Sequence, residues 1–185
     1  LAACQQTRSI ERFDLDTKEQ TTVAGEYMGQ MLDTPNDLVQ HSNGTIYFTN
    51  PLNELDGRPV GAGAGAYRIT PEGSVELIQT GNSNGIGLSP DEDRLYVVLL
   101  GMWDLDDQGV PQNQQNLFTG GDGLAVDCAG NVYADGNIYS PEGNQIGDWG
   151  MGTNLAFGGD DGQTVLVVGR GTPLRELRMN VPGFP

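Results

Sequence analysis

Short apolar runs separated by Asp, Asn, Gly and Pro turns recur along the whole chain, and no segment holds a sustained 3.6-residue period. Four segments share one pattern. Asn36-Asp37-Leu38-Val39 leads through Ser42-Asn43-Gly44 to Ile46-Tyr47-Phe48. Asn84-Gly85-Ile86-Gly87-Leu88 leads through Ser89-Pro90-Asp91 to Leu95-Tyr96-Val97. Asp122-Gly123-Leu124-Ala125-Val126 leads through Asp127 and Gly130-Asn131 to Val132-Tyr133. Asn154-Leu155-Ala156-Phe157 leads through Gly158-Gly159-Asp160 to Val165-Leu166-Val167. Each unit is a short apolar strand, a tight turn, and a β-branched or aromatic strand, which is a hairpin signature. From the leading Asn or Asp to the matching apolar residue of the second strand is 11 or 12 residues each time.

Weaker outer strands lie between the units: Ala66-Tyr67-Arg68-Ile69 with Val75-Glu76-Leu77-Ile78, and Ile138-Tyr139 with Gln145-Ile146. Their turns, Pro71-Glu72-Gly73 and Pro141-Glu142-Gly143, are alike in chemistry. The units start at 36, 84, 122 and 154, spacings of 48, 38 and 32 residues. Four antiparallel strands in roughly 40 residues is the size of a β-propeller blade. A parallel α/β sheet needs crossover helices, for which there is no room. A β-sandwich accommodates the strands but leaves the matched leading Asn and Asp unexplained. The expected fold is therefore an all-β propeller with essentially no helix.

Leu1 to Cys4, Ile10 to Leu15 and Thr21 to Ala24 read as the second, third and fourth strands of a blade whose innermost strand is expected upstream of Leu1. Leu174 to Met179 reads as a third strand with no fourth after it. Residues 1–185 are expected to form one propeller domain, N-terminally incomplete, with about five blades represented. The spacing of 32 residues is expected to be tight for four strands of about five residues with turns, which suggests strand connections absent from the sequence.

Charge and composition narrow the function classes. The chain has 25 acidic and 9 basic residues, a formal charge of −16 and a sequence pI near 4.1. That field repels phosphate backbones, which excludes nucleic-acid binding as a function class. The longest apolar stretch, Leu95 to Leu100, is too short to span a bilayer. Cys4 and Cys128 form no CxxC pair. The single histidine, His41, excludes a multi-histidine zinc site and, lying in a strand-like segment, is a poor triad member.

In a propeller the innermost strands run along the channel, and their leading residues face the axis at one mouth. Any one of Asn36, Asn84, Asp122 and Asn154 alone reads as a turn residue capping backbone amides. Four in equivalent places form a hard, oxygen-only set suited to Ca²⁺ and tolerable for Mg²⁺ or Mn²⁺.

Thr34-Pro35-Asn36-Asp37-Leu38 through Ile46-Tyr47-Phe48-Thr49, Ser83-Asn84-Gly85 through Ser89-Pro90-Asp91, Asp122-Gly123 through Gly130-Asn131-Val132-Tyr133, and Thr153-Asn154-Leu155-Ala156-Phe157-Gly158-Gly159 occur in that order. With the tail Leu174-Arg175-Glu176-Leu177-Arg178-Met179-Asn180-Val181-Pro182-Gly183, they resemble the senescence marker protein (regucalcin)/gluconolactonase family over essentially the whole chain. The resemblance implies a six-bladed β-propeller with a divalent cation at the channel mouth: Ca²⁺, or another such as Zn²⁺, Mg²⁺ or Mn²⁺. Carried over, three ligands become Asn36, Asn84 and Asp122, and a fourth, a Glu, is expected upstream of Leu1. Asn154 matches a family Asn that is not a usual ligand and is expected to line the channel or sit in a turn. Where the family usually has Asp-Pro after the second-strand motif, this chain has Asn50-Pro51.

The activity so implied is hydrolysis of a small-molecule sugar lactone. The cation would polarise the ester carbonyl, and Asp122, the only carboxylate among the matched ligands, would activate water. The alternatives are a phosphotriester or fluorophosphate hydrolase using the same cluster, and a non-enzymatic calcium-binding propeller.

Overall fold

The apolar–turn–apolar pattern becomes a series of antiparallel sheets because each tight turn supplies the conformation that a side-chain-bearing residue disfavours. Gly44 and Gly130 close the first hairpin turns of their sheets with φ of 96° and 81°, in the left-handed region where glycine carries no Cβ penalty. The structure is a computed structural model and describes residues 1–52, 59–117 and 120–184.

Among the described residues, twenty strands form six sheets. The first sheet is β1 (Ala2–Cys4), β2 (Ser9–Phe13) and β3 (Gln20–Ala24), in that order. A small hairpin, β4 (Glu26–Tyr27) with β5 (Gln30–Met31), follows. Next come β6 (Leu38–Gln40), β7 (Ile46–Asn50), β8 (Gly65–Ile69) and β9 (Val75–Thr80). The next four-stranded sheet holds β10 (Ile86–Leu88), β11 (Arg94–Val97), β12 (Gly101–Leu105) and β13 (Pro111–Gln115). Another holds β14 (Leu124–Val126), β15 (Val132–Ala134), β16 (Asn137–Tyr139) and β17 (Gln145–Asp148). The last is β18 (Asn154–Gly158), β19 (Thr164–Gly169) and β20 (Thr172–Arg178).

In every sheet the strands follow one another in chain order, which is the meander of a β-propeller blade. Three blades have four strands. The first and last have three, on the strands the sequence pattern marks. Among the described residues there is no helix, and none long and apolar enough to cross a membrane.

Three differences from the sequence reading have simple causes. The β4–β5 hairpin has no long apolar alternation to announce it; Met28 and Gly29, at φ of 50° and 75°, form its turn. His41 lies beyond the end of β6, in the turn, where its Nδ1 accepts the Asn43 amide at 3.0 Å. The 32-residue repeat does hold four strands, because β14 to β17 are only three or four residues long. The spacing therefore gives no reason to suppose missing connections.

The chain forms two compact units, residues 1–86 with 107–109 and residues 87–106 with 110–185. In the first, Ile10, Leu32, Ile46, Phe48, Tyr67 and Ile69 form the core, and Phe48 stacks on Tyr67 with centroids 5.4 Å apart. All five residues of β7 are buried, as expected of a strand covered on both faces. In the second unit, one cluster gathers Tyr96, Val98, Met102, Val126 and Val132, and another Tyr133, Trp149, Leu155, Val165 and Val167. Buried Asp127 organises the β14–β15 turn. Its Oδ1 accepts the amides of Ala129 and Asn131, each at 2.9 Å, and its Oδ2 accepts the Tyr133 hydroxyl at 3.1 Å.

Candidate functional site

The leading residues of the four repeats occupy one register. His41, Ser89, Asp127 and Gly159 each open a hairpin turn by accepting the amide three residues on. Asn36, Asn84, Asp122 and Asn154 each lie five residues before one of them. The first three sit two residues ahead of β6, β10 and β14 and are half-buried, whereas Asn154 is the first residue of β18 and is exposed.

In the first unit, the Asn36 amide donates to the Thr49 carbonyl at 2.9 Å. Next to it, Asp37 accepts two backbone amides: Leu38 on Oδ1 at 2.9 Å and Ile86 on Oδ2 at 3.1 Å. That carboxylate ties the start of β6 to the start of β10, so Asn36 and Asn84 lead neighbouring strands. The approach to Asn36 is held by a buried polar network. Asp33 Oδ1 accepts from Arg8 at 3.1 Å and the Gly61 amide at 2.6 Å, and Oδ2 accepts the Gly63 amide at 2.7 Å. Asn50 Oδ1 accepts the amides of Asp33 and Thr34 at 2.9 and 3.0 Å, while its Nδ2 donates to the Gly63 carbonyl at 2.8 Å. Asp33 and Asn50 are fully buried, and buried polar groups of this kind are stable only when so completely satisfied. The Tyr67 hydroxyl donates to the same loop, at Gly63 and Ala62. Burial, with the Asp33 charge second, pushes its ionisation up to about 12.

In the second unit, the Gly123 amide donates to the Thr153 carbonyl at 2.8 Å, which sets Asp122 beside the start of β18. Asn154 lies against Gly123: a Cβ there would be 2.6 Å from Asn154 Nδ2 and closer still to Oδ1. Leu124 pairs with Ala134 and Asn137 with Asp148, so the β15–β16 turn and the segment after β17 lie at the same sheet end as Asp122. A cavity of about 350 Å³ at that end is lined by Asp135, Gly136, Asn137, Gly150, Met151 and Gly152.

Among the described residues, no hydrogen bond engages the side-chain oxygens of Asn36, Asn84 or Asp122. Asn154 differs, because its Oδ1 accepts the Leu155 amide at 2.8 Å. No group of three or more His, Cys, Asp or Glu side chains suited to a metal occurs among the described residues. Amide and carboxylate oxygens left uncommitted to protein donors are the donor types that a hard cation such as Ca²⁺ takes.

Sequence reasoning did not single out Asp33, Asp37 or Arg8. The one usable signal was Asn50-Pro51, where an amide replaces the carboxylate of the similar family.

Comparison with known proteins gives the family of the chain. The family model described as the SMP-30/Gluconolactonase/LRE-like region matches residues 1–169. A gluconolactonase of Zymomonas mobilis is 31% identical over 196 residues, covering 87% of this chain and 55% of its own length. The chain thus spans about half the length of this curated relative. An X-ray structure from the gluconolactonase protein family superposes with a TM-score of 0.80 at 25% identity, covering 97% of this chain and 70% of the other. The calcium-binding protein regucalcin of Agrobacterium tumefaciens superposes with a TM-score of 0.69 at 20% identity, covering 96% and 72%. The chain, with its five β-propeller blades and its repeated strand-leading Asn and Asp, belongs to the SMP-30/gluconolactonase/LRE-like family.

Proposed function

We propose that this chain carries the active site of a lactone hydrolase acting on sugar lactones, with Asn36, Asn84 and Asp122 holding a divalent cation, Ca²⁺ in the first instance. The observation that carries this reading is the contrast within one register: three of the four strand-leading side chains keep their oxygens uncommitted, and they are the three that match the family's ligands. The likeness to a gluconolactonase supports the substrate class.

A cation held there supplies Lewis-acid polarisation of the ester carbonyl. Asn36 and Asn84 would contribute neutral oxygens, which bind the cation without offsetting its charge. Asp122 contributes the carboxylate among these three and acts as general base. It removes a proton from the water whose oxygen attacks the carbonyl carbon. The ring C–O bond then breaks, and the proton passes to the ring oxygen, yielding the open hydroxy acid.

The test is to titrate the purified protein with Ca²⁺ by calorimetry and to follow acid release from glucono-δ-lactone over the same titration. Saturable binding with parallel activity is expected. Absence of cation binding removes the reading at its base.

A further inference from the structure

Asn154 shares the register of the proposed ligands but is wired differently, and its wiring fixes which end of its amide is available. The Leu155 N–H, 2.8 Å away, can only face an acceptor, so that end of the side chain is Oδ1. The NH₂ group is therefore the other end. Gly123 offers no side chain in the way, and the Asn154 amide lies directly over its backbone, one residue from Asp122. The Gly123–Thr153 backbone bond holds the two strand starts together. Asn154 is exposed, and the turn just before it, Gly150 to Gly152, lines the cavity at this end of the sheet. With its oxygen committed to Leu155, Asn154 keeps a hydrogen-bond donor as its uncommitted end.

Resting on the lactonase reading above, we propose that Asn154 is a specificity-determining residue whose Nδ2 donates a hydrogen bond to a hydroxyl oxygen of a polyhydroxylated lactone bound beside Asp122. A site built to bond a substrate hydroxyl discriminates against the analogue that lacks it, because the donor is then left unpaired. Asn154 thus selects a sugar lactone over a bare one, while the cation is left to Asn36, Asn84 and Asp122.

The experiment compares wild type, Asn154→Asp and Asn154→Ala on glucono-δ-lactone and on unsubstituted δ-valerolactone, with Ca²⁺ affinity and melting temperature measured in parallel. Asn154→Asp keeps the acceptor for Leu155 but loses the donor; Asn154→Ala loses both and adds no charge. The expected result is a KM for the sugar lactone raised about 10-fold in both variants, with δ-valerolactone kinetics within about 2-fold of wild type. Ca²⁺ affinity of Asn154→Ala is expected to match wild type. Equal effects on the two lactones, or none, overturn the donor role. So does a loss of Ca²⁺ affinity in Asn154→Ala as large as that in Asn84→Ala, which would make Asn154 a ligand. A wild type that binds Ca²⁺ but hydrolyses neither lactone overturns the lactonase reading itself.

Discussion

Asp37 Oδ2 accepts the Ile86 amide at 3.1 Å while Oδ1 accepts the Leu38 amide at 2.9 Å, so one carboxylate stitches the starts of two strands. Asn36 precedes Asp37 directly, and Asn84 precedes Ile86 by two residues. The relative position of the two proposed amide ligands therefore passes through this side chain. Asp37→Ala strands a buried amide at Ile86 and is expected to cost about 1–3 kcal/mol. Urea unfolding measures that cost. Ca²⁺ calorimetry on the folded variant is expected to show weaker binding, and unchanged affinity would confine Asp37 to a structural role.

Asp122→Asn and Asn84→Ala separate chemistry from ligation. The first keeps one oxygen donor but removes the basic site, so lactone turnover is expected to fall by about 10²–10⁴ and to stay low at saturating cation. The second removes a ligand outright, so cation affinity falls and added cation restores part of the activity. Both follow from lactone hydrolysis assays across a cation titration. Full recovery of Asp122→Asn at high cation would leave Asp122 a ligand and not a base.

Asn50 explains a local departure from the family pattern. Its Nδ2 donates to the Gly63 carbonyl at 2.8 Å and lies 3.4 Å from Asp33 Oδ2. Restoring the carboxylate with Asn50→Asp places an acceptor against two acceptors inside a fully buried network. A loss of about 2–4 kcal/mol is expected by urea denaturation. Stability equal to wild type would mean that the network rearranges around the new charge.

Alkaline pH probes the same region. Burial, then the Asp33 charge, raises Tyr67 ionisation to about 12, against roughly 10 in the unfolded chain. Burial, with Asp127 second, raises Tyr133 in the same direction. A raised folded value favours the neutral phenol in the native state, so its stabilising contribution is complete below pH 10 and is lost as pH climbs toward 12. Phenolate absorbance is expected to show late-titrating tyrosines, and Tyr67→Phe is expected to flatten the fall in stability over that interval. An unchanged slope would count against Tyr67 as its source.

The sequence by itself determined the blades. Apolar alternation specifies which face of a strand is buried, and Asp/Asn/Gly turns specify where it reverses; both are local properties, written within ten residues or so. That is why Asn36, Asn84, Asp122 and Asn154 were legible as equivalent positions before any coordinates. Their differences were not legible. Whether an Asn oxygen is committed to an amide, as in Asn154 with Leu155, depends on side-chain direction at a strand start, which the letter N does not encode. The tie from Asp37 to Ile86 joins residues 49 apart, and the Arg8–Asp33 pair joins residues 25 apart. Such contacts carry no periodic signal, because their partners meet only after separate sheets have packed. Only the tertiary structure decided that the Asn154 oxygen is committed to a backbone amide, because that depends on how the side chain turns at the start of β18.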